Sequence, residues 1–461
     1  MKKTIFLLIV FLPLLVIAES ALRLPAILSN HAVMQASSDV KLWGWSICTI
    51  PVRIVCSWNP ADTITVMPKN DWSWETTVKT PKAGGPYSIT FTSAKQQITI
   101  SDLLMGEVWL CSGQSNMEFD LNWGDLDAGN ALGTCKNNEI RFFHISREFD
   151  DYPQSDCKGE WMVCDSTSMK NFSLVGYFFG RDLNTRLNKP IGLIGSYFGG
   201  TCVQAWTPRQ VFKDTTLRRM ANDITLSWSP VASSVLYNAM IYPIINYKIA
   251  GNIWYQGESN TEHPLYYGAL FKTLITSWRK AFQNEFSFYF VQIAPYSGYP
   301  GINGAILREQ QTTALRLPKT GMVTIGDLVN NINDIHPKLK QAVAERLANL
   351  VLKEMYGDDQ LQPYQPHFSS MKIEKNKTIL TIASIGKLTC KGKEISSFQV
   401  AGEDKMFYPA EAKLQKNGTI EINSKQVKNP VAVRYCFTNN GMPDLFDTNG
   451  LPLVPFRTDH W

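Results

Sequence analysis

Residues 106–117, GEVWLCSGQSNM, combine an apolar run with an abrupt polar ending. Residues 108–111 have the continuous apolar pattern of a strand that is buried on both faces, which is typical of parallel sheets. Five small polar residues, 112–116, follow immediately, and Gly113 among them allows a sharp turn. The stretch therefore predicts a parallel-sheet strand that ends in a turn carrying two hydroxyl groups.

The central part of the chain repeats this apolar strand pattern and alternates it with amphipathic helices. We predict further strands at residues 141–145, 191–196, 252–256, 288–293 and 322–326. We predict helices at residues 174–187, 265–282, 305–317 and 338–355. Continuous apolar strands that alternate with such helices indicate an α/β fold with a parallel sheet covered on both faces. Ligands bind beyond the carboxyl ends of the strands in this class of fold, where the polar turn would lie.

The composition divides the chain into four parts. Residues 1–18 have a basic start followed by an almost entirely apolar run, which predicts a signal peptide. Residues 19–105 contain short alternating strands separated by turn formers and predict a small β-sandwich. Residues 106–357 form the predicted catalytic domain. Residues 358–461 predict a C-terminal β-rich region, with packing against the N-terminal sandwich as one option.

The first residues and the charge balance bear on localisation and partners. A membrane anchor is the alternative for residues 4–17, but this run is shorter than the roughly 20 apolar residues that span a bilayer. We therefore expect a secreted or periplasmic protein, although the sequon at residues 417–419 leaves a glycosylating host open. The chain has 45 Lys and Arg against 40 Asp and Glu, without a basic run that could follow a phosphate backbone. Neither nucleic acid nor a membrane is expected as a partner of the mature chain, and the oligomeric state stays open.

The nine cysteines of an exported chain permit disulfides, but their odd number leaves at least one thiol unpaired. Cys135, Cys157 and Cys164 lie in one loop-rich stretch, whereas Cys111 and Cys202 lie in apolar surroundings. We predict a disulfide between Cys157 and Cys164. No CxxC spacing of a zinc or redox site is present.

Two serines follow the first catalytic strand, and Ser115 is the better candidate for a nucleophile. Ser115 would begin a helix whose first N–H groups and positive dipole end face any oxyanion formed there. Ser112 is still in the turn, where its hydroxyl more often satisfies backbone groups. The alternative for Ser115 is an ordinary helix N-cap.

A serine nucleophile needs a base, and the chain has only six histidines. His336 lies in a polar loop between a predicted strand and a predicted helix, with Asp334 two residues earlier and Pro337 suited to begin the helix. His263 is the second choice. We therefore predict Ser115 as the nucleophile, His336 as the base and Asp334 as the carboxylate that orients the base.

Two further loops have the composition of an oxyanion site. Residues 197–206, YFGGTCVQAW, contain paired glycines that let backbone N–H groups approach a ligand closely. Residues 254–260, WYQGESN, provide amide and carboxylate side chains. The predicted donors to an oxyanion are Ser115 N–H, Gly200 N–H and the Gln256 amide.

Side chains near these loops are candidates for contacts to the substrate, with core packing as the alternative. Such substrate contacts are predicted for Gln114, Trp206, Asn238, Glu258 and Asn260. Arg308, on a helix near the sheet edge, is a candidate partner for a substrate carboxylate.

Four segments together resemble the sialate O-acetylesterases within the SGNH/GDSL hydrolase superfamily: GEVWLCSGQSNM, YFGGTCVQAW, IWYQGESN and NDIHP. The segment YNAMIYP and the tail DLFDTNGLPLVPFRTD also resemble this family. The resemblance implies a flavodoxin-like three-layer domain that removes O-acetyl esters from sugars, chiefly sialic acid, with no metal and no cofactor. By position, Ser115 matches the nucleophile, His336 the base and Gly200 the glycine of the second block.

The chain departs from the superfamily pattern at two places. Gln256 stands where many members have an Asn in the third block, with Asn260 nearby as a fallback donor. The usual Asp-x-x-His spacing is also absent, because position 333 is Asn. Asp334 is the favoured carboxylate, and Asp327 or a backbone carbonyl is the alternative.

Two other functions stay open at this point. One is the same chemistry on acetylated xylan or another polysaccharide. The other is a carbohydrate-binding protein without catalysis, which predicts the loss of a catalytic group. For the esterase we expect activity to rise with pH near 6.5, since the base must be uncharged.

Overall fold

The computed structural model describes residues 22–125 and 128–461. The predicted signal peptide lies outside the described residues. Within them, no helix combines the length and the apolar character that crossing a membrane requires.

The N-terminal part is built from short strands, as its alternating pattern predicts. These strands are β1 (Val33–Gln35), β2 (Asp39–Trp45), β3 (Val52–Cys56), β4 (Thr63–Val66), β5 (Ser73–Lys79), β6 (Gly84–Ser93) and β7 (Gln96–Gly113). The last strand, β7, has 18 residues and runs through the predicted domain boundary at residues 105 and 106. Its first half pairs with β6 in antiparallel fashion, and its second half enters the catalytic sheet. The first two predicted domains therefore share one strand.

The catalytic sheet continues with six more strands. They are β8 (Asn137–His144), β9 (Trp161–Cys164), β10 (Ile191–Tyr197), β11 (Gly251–Tyr255), β12 (Ser287–Val291) and β13 (Thr320–Val323). Their order is β13-β12-β11-β7-β10-β8-β9. All neighbours are parallel except β9, which is antiparallel to β8.

Seven α-helices are described, and the long ones cover both faces of this sheet. The helices are α1 (Ser115–Glu118), α2 (Ser166–Lys170), α3 (Leu174–Leu187), α4 (Thr215–Asn222), α5 (Pro264–Phe282), α6 (Asn303–Thr312) and α7 (Lys340–Tyr356). Helices α3 and α7 bury their apolar residues in one core, and α5 and α6 bury theirs in the other. The predicted α/β fold with three layers is confirmed.

The apolar run of residues 108–111 is explained by these two cores. Val108 and Leu110 belong to the core under α5 and α6, whereas Trp109 and Cys111 belong to the core under α3 and α7. Successive side chains of a strand point to opposite faces, so a strand between two helix layers needs apolar residues at every position.

The C-terminal part forms three small antiparallel sheets around a core of its own. Its strands are β14 (His367–Glu374), β15 (Lys377–Ala383), β16 (Thr389–Cys390), β17 (Phe398–Ala401), β18 (Phe407–Pro409), β19 (Glu411–Leu414), β20 (Ile420–Asn423), β21 (Ala432–Tyr435), β22 (Leu445–Phe446) and β23 (Phe456–Arg457). Arg457 donates two hydrogen bonds of 2.8 Å to the Glu309 carboxylate of α6. This region therefore contacts the catalytic domain.

The predicted disulfide between Cys157 and Cys164 is wrong. All nine cysteines lie in the described residues, and all nine are free thiols. Cys157 packs against the core that holds the N-terminal strands, whereas Cys164 is buried in the core under α3 and α7. The two side chains thus belong to different layers, although they are close in sequence. The Cys164 thiol instead donates to the carbonyl of Cys135 at 3.1 Å.

Candidate active site

The turn after β7 depends on Gly113. Its φ angle is 143°, and a Cβ atom at this position would lie 2.1 Å from the carbonyl oxygen of Tyr255. The Gln114 N–H donates to this same carbonyl at 3.0 Å. The close approach of β11 lets the chain turn at once into α1, whose first residue is Ser115. Ser115 is 9% exposed, whereas Ser112 is fully buried.

The structure brings His336 to Ser115, 221 residues away in sequence. His336 Nε2 lies 2.9 Å from Ser115 Oγ. His336 belongs to the loop between β13 and α7, and its ring meets Trp123 edge to face with centroids 5.4 Å apart. The second choice, His263, instead stacks on Tyr266 at the start of α5. A hydroxyl and an imidazole at hydrogen-bonding distance are the arrangement that activates a serine.

The site holds His336 in its neutral form. Burial lowers the pKa of His336 to about 4, and the positive charges of Lys340 and Lys338 act in the same direction. The Asp334 carboxylate opposes them. This pKa is lower than the 6.5 expected for an ordinary histidine, because the loop buries the ring beside two cations. An uncharged imidazole is the form that can accept a proton.

The two candidate carboxylates have different partners. Asp334 Oδ1 accepts the backbone N–H of His336 at 2.9 Å and lies 3.8 Å from its Nδ1. The second distance is longer than a hydrogen bond. Asp327 is bound by both terminal nitrogens of Arg346, at 2.8 and 2.6 Å. Asp334 is therefore the carboxylate that faces His336, through charge rather than through a hydrogen bond to the ring.

A buried polar network under Ser115 was missed by sequence reasoning. Lys340 Nζ donates to Asn116 Oδ1 at 2.6 Å, and Asn116 Nδ2 donates to Glu258 Oε1 at 2.6 Å. Asn116 Nδ2 also lies 3.1 Å from the carbonyl of Ile335. Asn116 is thus bonded to the residue before His336 and is itself the residue after Ser115. The available signal was Lys340 at the start of α7, a cation at a position that packs against the sheet.

The charges in this network are mutually compensating. Burial raises the pKa of Glu258, while Asn116 and Lys340 act to lower it. Burial lowers the pKa of Lys340 to about 7, and Glu258 is the largest opposing influence. A buried charge without a partner is costly, so the pair is stable only as a connected unit.

The predicted oxyanion donors fall into two groups. Neither Ser115 N–H nor Gly200 N–H has a hydrogen-bond acceptor among residues 22–125 and 128–461. The Gln256 amide instead donates to Thr201 O at 3.1 Å and to Asn260 Oδ1 at 2.8 Å. Both of its N–H groups are therefore occupied within the protein. A donor role for Gln256 stays a prediction that would need this amide to change partners.

The five predicted substrate contacts all lie in the interior, in contact with other residues of the protein. The five buried residues are Gln114, Trp206, Asn238, Glu258 and Asn260. Gln114 Oε1, for example, accepts the backbone N–H groups of Gly257 and Ser259 at 3.3 Å each, and so ties the two turns together. Binding of substrate by any of the five stays a prediction.

The prediction for Arg308 is wrong. Its side chain is buried and donates to the carbonyl of Thr438 in the C-terminal region. The guanidinium therefore faces the contact between two parts of the chain and is not open to a substrate carboxylate.

Comparisons with known proteins identify the family of this chain. Residues 105–353 match the model of the family described as carbohydrate esterase, sialic acid-specific acetylesterase. The sialate O-acetylesterase of Mus musculus is 26% identical over 447 residues, which are 82% of this chain and 82% of the mouse protein. That of Homo sapiens is 27% identical over 445 residues, covering 85% and 82%. The crystal structure of a carbohydrate acetylesterase from Xanthomonas citri has a TM-score of 0.87 and 30% identity, over 95% of this chain and 100% of that one.

Proposed function

Because the chain belongs to the carbohydrate esterase family of sialic acid-specific acetylesterases, and so is a carboxylic ester hydrolase, we propose that Ser115 attacks the O-acetyl ester of its sugar substrate. The observation that carries this proposal is the 2.9 Å contact between Ser115 Oγ and His336 Nε2. Acetylated sugars are the substrate class that the family implies.

The proposed reaction has two halves. The Ser115 proton passes to His336 Nε2 as Oγ bonds to the acetyl carbon, and the N–H groups of Ser115 and Gly200 donate to the oxyanion. The proton then moves to the departing sugar oxygen, which leaves acetyl-Ser115. Water attacks this ester in the second half, again giving its proton to His336, and acetate leaves as Ser115 regains a proton. Asp334 stabilises the transient imidazolium by its charge.

The acetylated sugar is sialic acid in our first proposal, and an acetylated polysaccharide such as xylan is the second. The mammalian relatives are named for sialate, which supports the first. The relative from Xanthomonas citri is described as a carbohydrate acetylesterase without a named sugar, which keeps the second. We also propose that residues 1–18 direct export and are removed, which would place the enzyme in a periplasm or outside the cell.

The proposal is tested by acetate release from O-acetylated sialic acid and from acetylated xylan. Ser115→Ala should lower turnover by roughly 10⁴ or more, as in other serine hydrolases. Ser112→Ala is the matched control, because Ser112 Oγ is buried without a hydrogen-bond partner among the described residues, and it should retain activity. A Ser115→Ala protein with a tenth of the parent rate on either sugar would contradict the proposal.

A further inference from the structure

An exposed tryptophan lies directly beside the proposed oxyanion donor Gly200. Trp228 is 67% exposed, and a Cβ atom built on Gly200 would lie 3.2 Å from its Cδ1 and Nε1 atoms. The next residue, Ser229, donates its hydroxyl to the carbonyl of Gly200 at 2.8 Å. The loop that carries Trp228 is therefore bonded to the glycine turn next to Ser115.

A groove lined by further aromatic side chains continues from this loop. Phe149 and Tyr152 are 63% and 71% exposed, and they line a cavity together with Pro230 and Val231. Large exposed apolar side chains that cluster in this way mark a binding surface. We name this surface, formed by Phe149, Tyr152, Trp228, Pro230 and Val231, the aromatic groove.

Backbone and side-chain hydrogen bonds hold the two walls of the groove together. The Asp150 N–H donates to the carbonyl of Val235 at 3.1 Å. Asn238 Nδ2 donates to the carbonyl of Asp150 at 3.1 Å, and the Gln154 N–H donates to the carbonyl of Asn238 at 2.9 Å. The exposed rings therefore project from a segment that is anchored on both sides, so that the groove is formed before a ligand arrives.

We propose that the aromatic groove binds neutral sugar units attached to the acetylated sugar, so that the enzyme acts on a glycan chain in preference to a free monosaccharide. This inference rests on the proposed function of Ser115. Aromatic rings offer large, rigid apolar faces to the C–H faces of sugar rings, and the Tyr152 hydroxyl adds a polar end. Asp150 and Asp151 also line the groove, where carboxylates accept hydrogen bonds from sugar hydroxyls and repel anionic units.

The position of the groove favours a glycan over a protein partner. Ser229 lies in the loop between Trp228 and Pro230, and its hydroxyl donates to the carbonyl of Gly200, so one loop carries part of the groove and contacts the glycine turn beside Ser115. A chain with its acetyl group at Ser115 would then carry its neighbouring units across Trp228 toward Phe149 and Tyr152. A docked protein would cover the same approach to Ser115 and so would obstruct the substrate.

The experiment compares kcat/KM for one acetylated sugar as a monosaccharide and as the end unit of neutral oligosaccharides of increasing length. The parent enzyme should prefer the longer substrates by at least about tenfold, through a lower KM. Phe149→Ala with Tyr152→Ala, and Trp228→Ala separately, should bring this ratio close to one. Tyr152→Phe, which keeps the ring, should retain most of it. Trp72→Ala is the control, because its ring is 59% exposed in the turn before β5 of the N-terminal part, and the ratio should not change.

A second measurement separates this inference from the proposed reaction. Deacetylated oligosaccharides are titrated into Ser115→Ala protein by calorimetry, with and without the Phe149 and Tyr152 substitutions. Binding that these substitutions weaken at least about tenfold supports the groove even if Ser115 is not the nucleophile. A kcat/KM ratio that is independent of chain length, with no binding of oligosaccharide, would overturn the groove and leave the esterase proposal intact.

Discussion

The hydroxyl of Ser115 and the imidazole of His336 lie close to the buried side chain of Lys340. Lys340 is bonded to Asn116, and Asn116 is bonded to the carbonyl before His336. The charged groups near His336 are Asp334, Lys338 and Lys340, and two of these three are positive. We infer that Lys340 positions both halves of the site and also keeps His336 uncharged.

The pH dependence of kcat/KM tests this role of Lys340. The parent enzyme should gain activity as pH rises through about 4, and not near 6.5 as expected for an ordinary histidine, because His336 with a pKa of about 4 is already neutral above that pH. Lys340→Met should move the acidic limb to higher pH, since removal of the positive charge makes protonation of His336 easier. Lys353→Met is the control, because Lys353 lies in the last turn of the same helix, where it pairs with Asp359. An acidic limb that stays in place in Lys340→Met would contradict this role.

Asp334 should contribute much less than the acid of a tightly bonded triad. Its carboxylate is 3.8 Å from Nδ1 and is partly exposed, so we expect Asp334→Asn to lower kcat by only about 2- to 5-fold, in the range of exposed ion pairs. Asn keeps an oxygen that can accept the backbone N–H of His336. Steady-state kinetics on an acetylated sugar provides the measurement. A loss near 10⁴ would instead mean that Asp334 bonds Nδ1 directly during the reaction.

At the scale of elements, the junction between β7 and α1 determines where Ser115 lies. Gly113 has a positive φ and contacts the carbonyl of Tyr255 more closely than any Cβ would allow. In the turn after β11, the backbone N–H groups of Gly257 and Ser259 donate hydrogen bonds to Gln114 Oε1. The junction is therefore fixed by a backbone contact with β11 and by the Gln114 side chain, and its sharp turn depends on Gly113.

Gly113→Ala should disrupt both stability and activity. The positive φ alone costs of order 1–3 kcal/mol, and the contact with Tyr255 adds to this cost by displacing β11. Thermal unfolding and acetate release should both fall. Gly418→Ala is the control, because Gly418 has a φ of 85° but no atom within 4 Å of the added Cβ, and so it tests the φ cost alone. Equal losses of stability in the two variants would show that the Tyr255 contact is unimportant.

At the scale of the whole molecule, one strand joins two parts of the chain and an ion pair joins a third. Strand β7 belongs to the N-terminal strands over its first half and to the catalytic sheet over its second. Arg457 bonds Glu309 of α6 through two nitrogens, which ties the C-terminal sheets to the same domain. The accessory regions therefore have a defined attachment to the domain that carries Ser115.

Export is the prediction that concerns the chain as a whole. Expression of the full chain in a bacterial host should yield a periplasmic or secreted protein whose first residue is close to Glu19, because residues 1–18 have the charge and apolar pattern of a cleaved signal. Intact-mass measurement of the purified protein identifies the first residue. Recovery of the complete 461-residue chain from the membrane fraction would favour the anchor alternative.

The sequence alone predicted the central parallel-sheet strands and the long helices, and it singled out Ser115 and His336, which the structure places 2.9 Å apart. Helix α3 has the predicted bounds, and α5 and α7 differ from prediction by one or two residues, because apolar periodicity is a local property. Ser115 and His336 were identified because each follows a strand of a parallel sheet, and those strand ends meet at one edge. The resemblance to the esterases assigned the same roles to Ser115 and His336 and added the acetylated sugar as the expected substrate.

Only the tertiary structure decided the features that depend on contacts between distant residues. The spacing of Asp334 and Asp327 from His336 could not show that Arg346 binds Asp327, because that pair forms between a loop and a helix. Polar residues at a turn looked open to substrate, yet Gln256 and Glu258 are buried, since their partners come from other segments. The low pKa of His336, the buried Lys340 and the aromatic groove likewise arise from packing, which local sequence does not record.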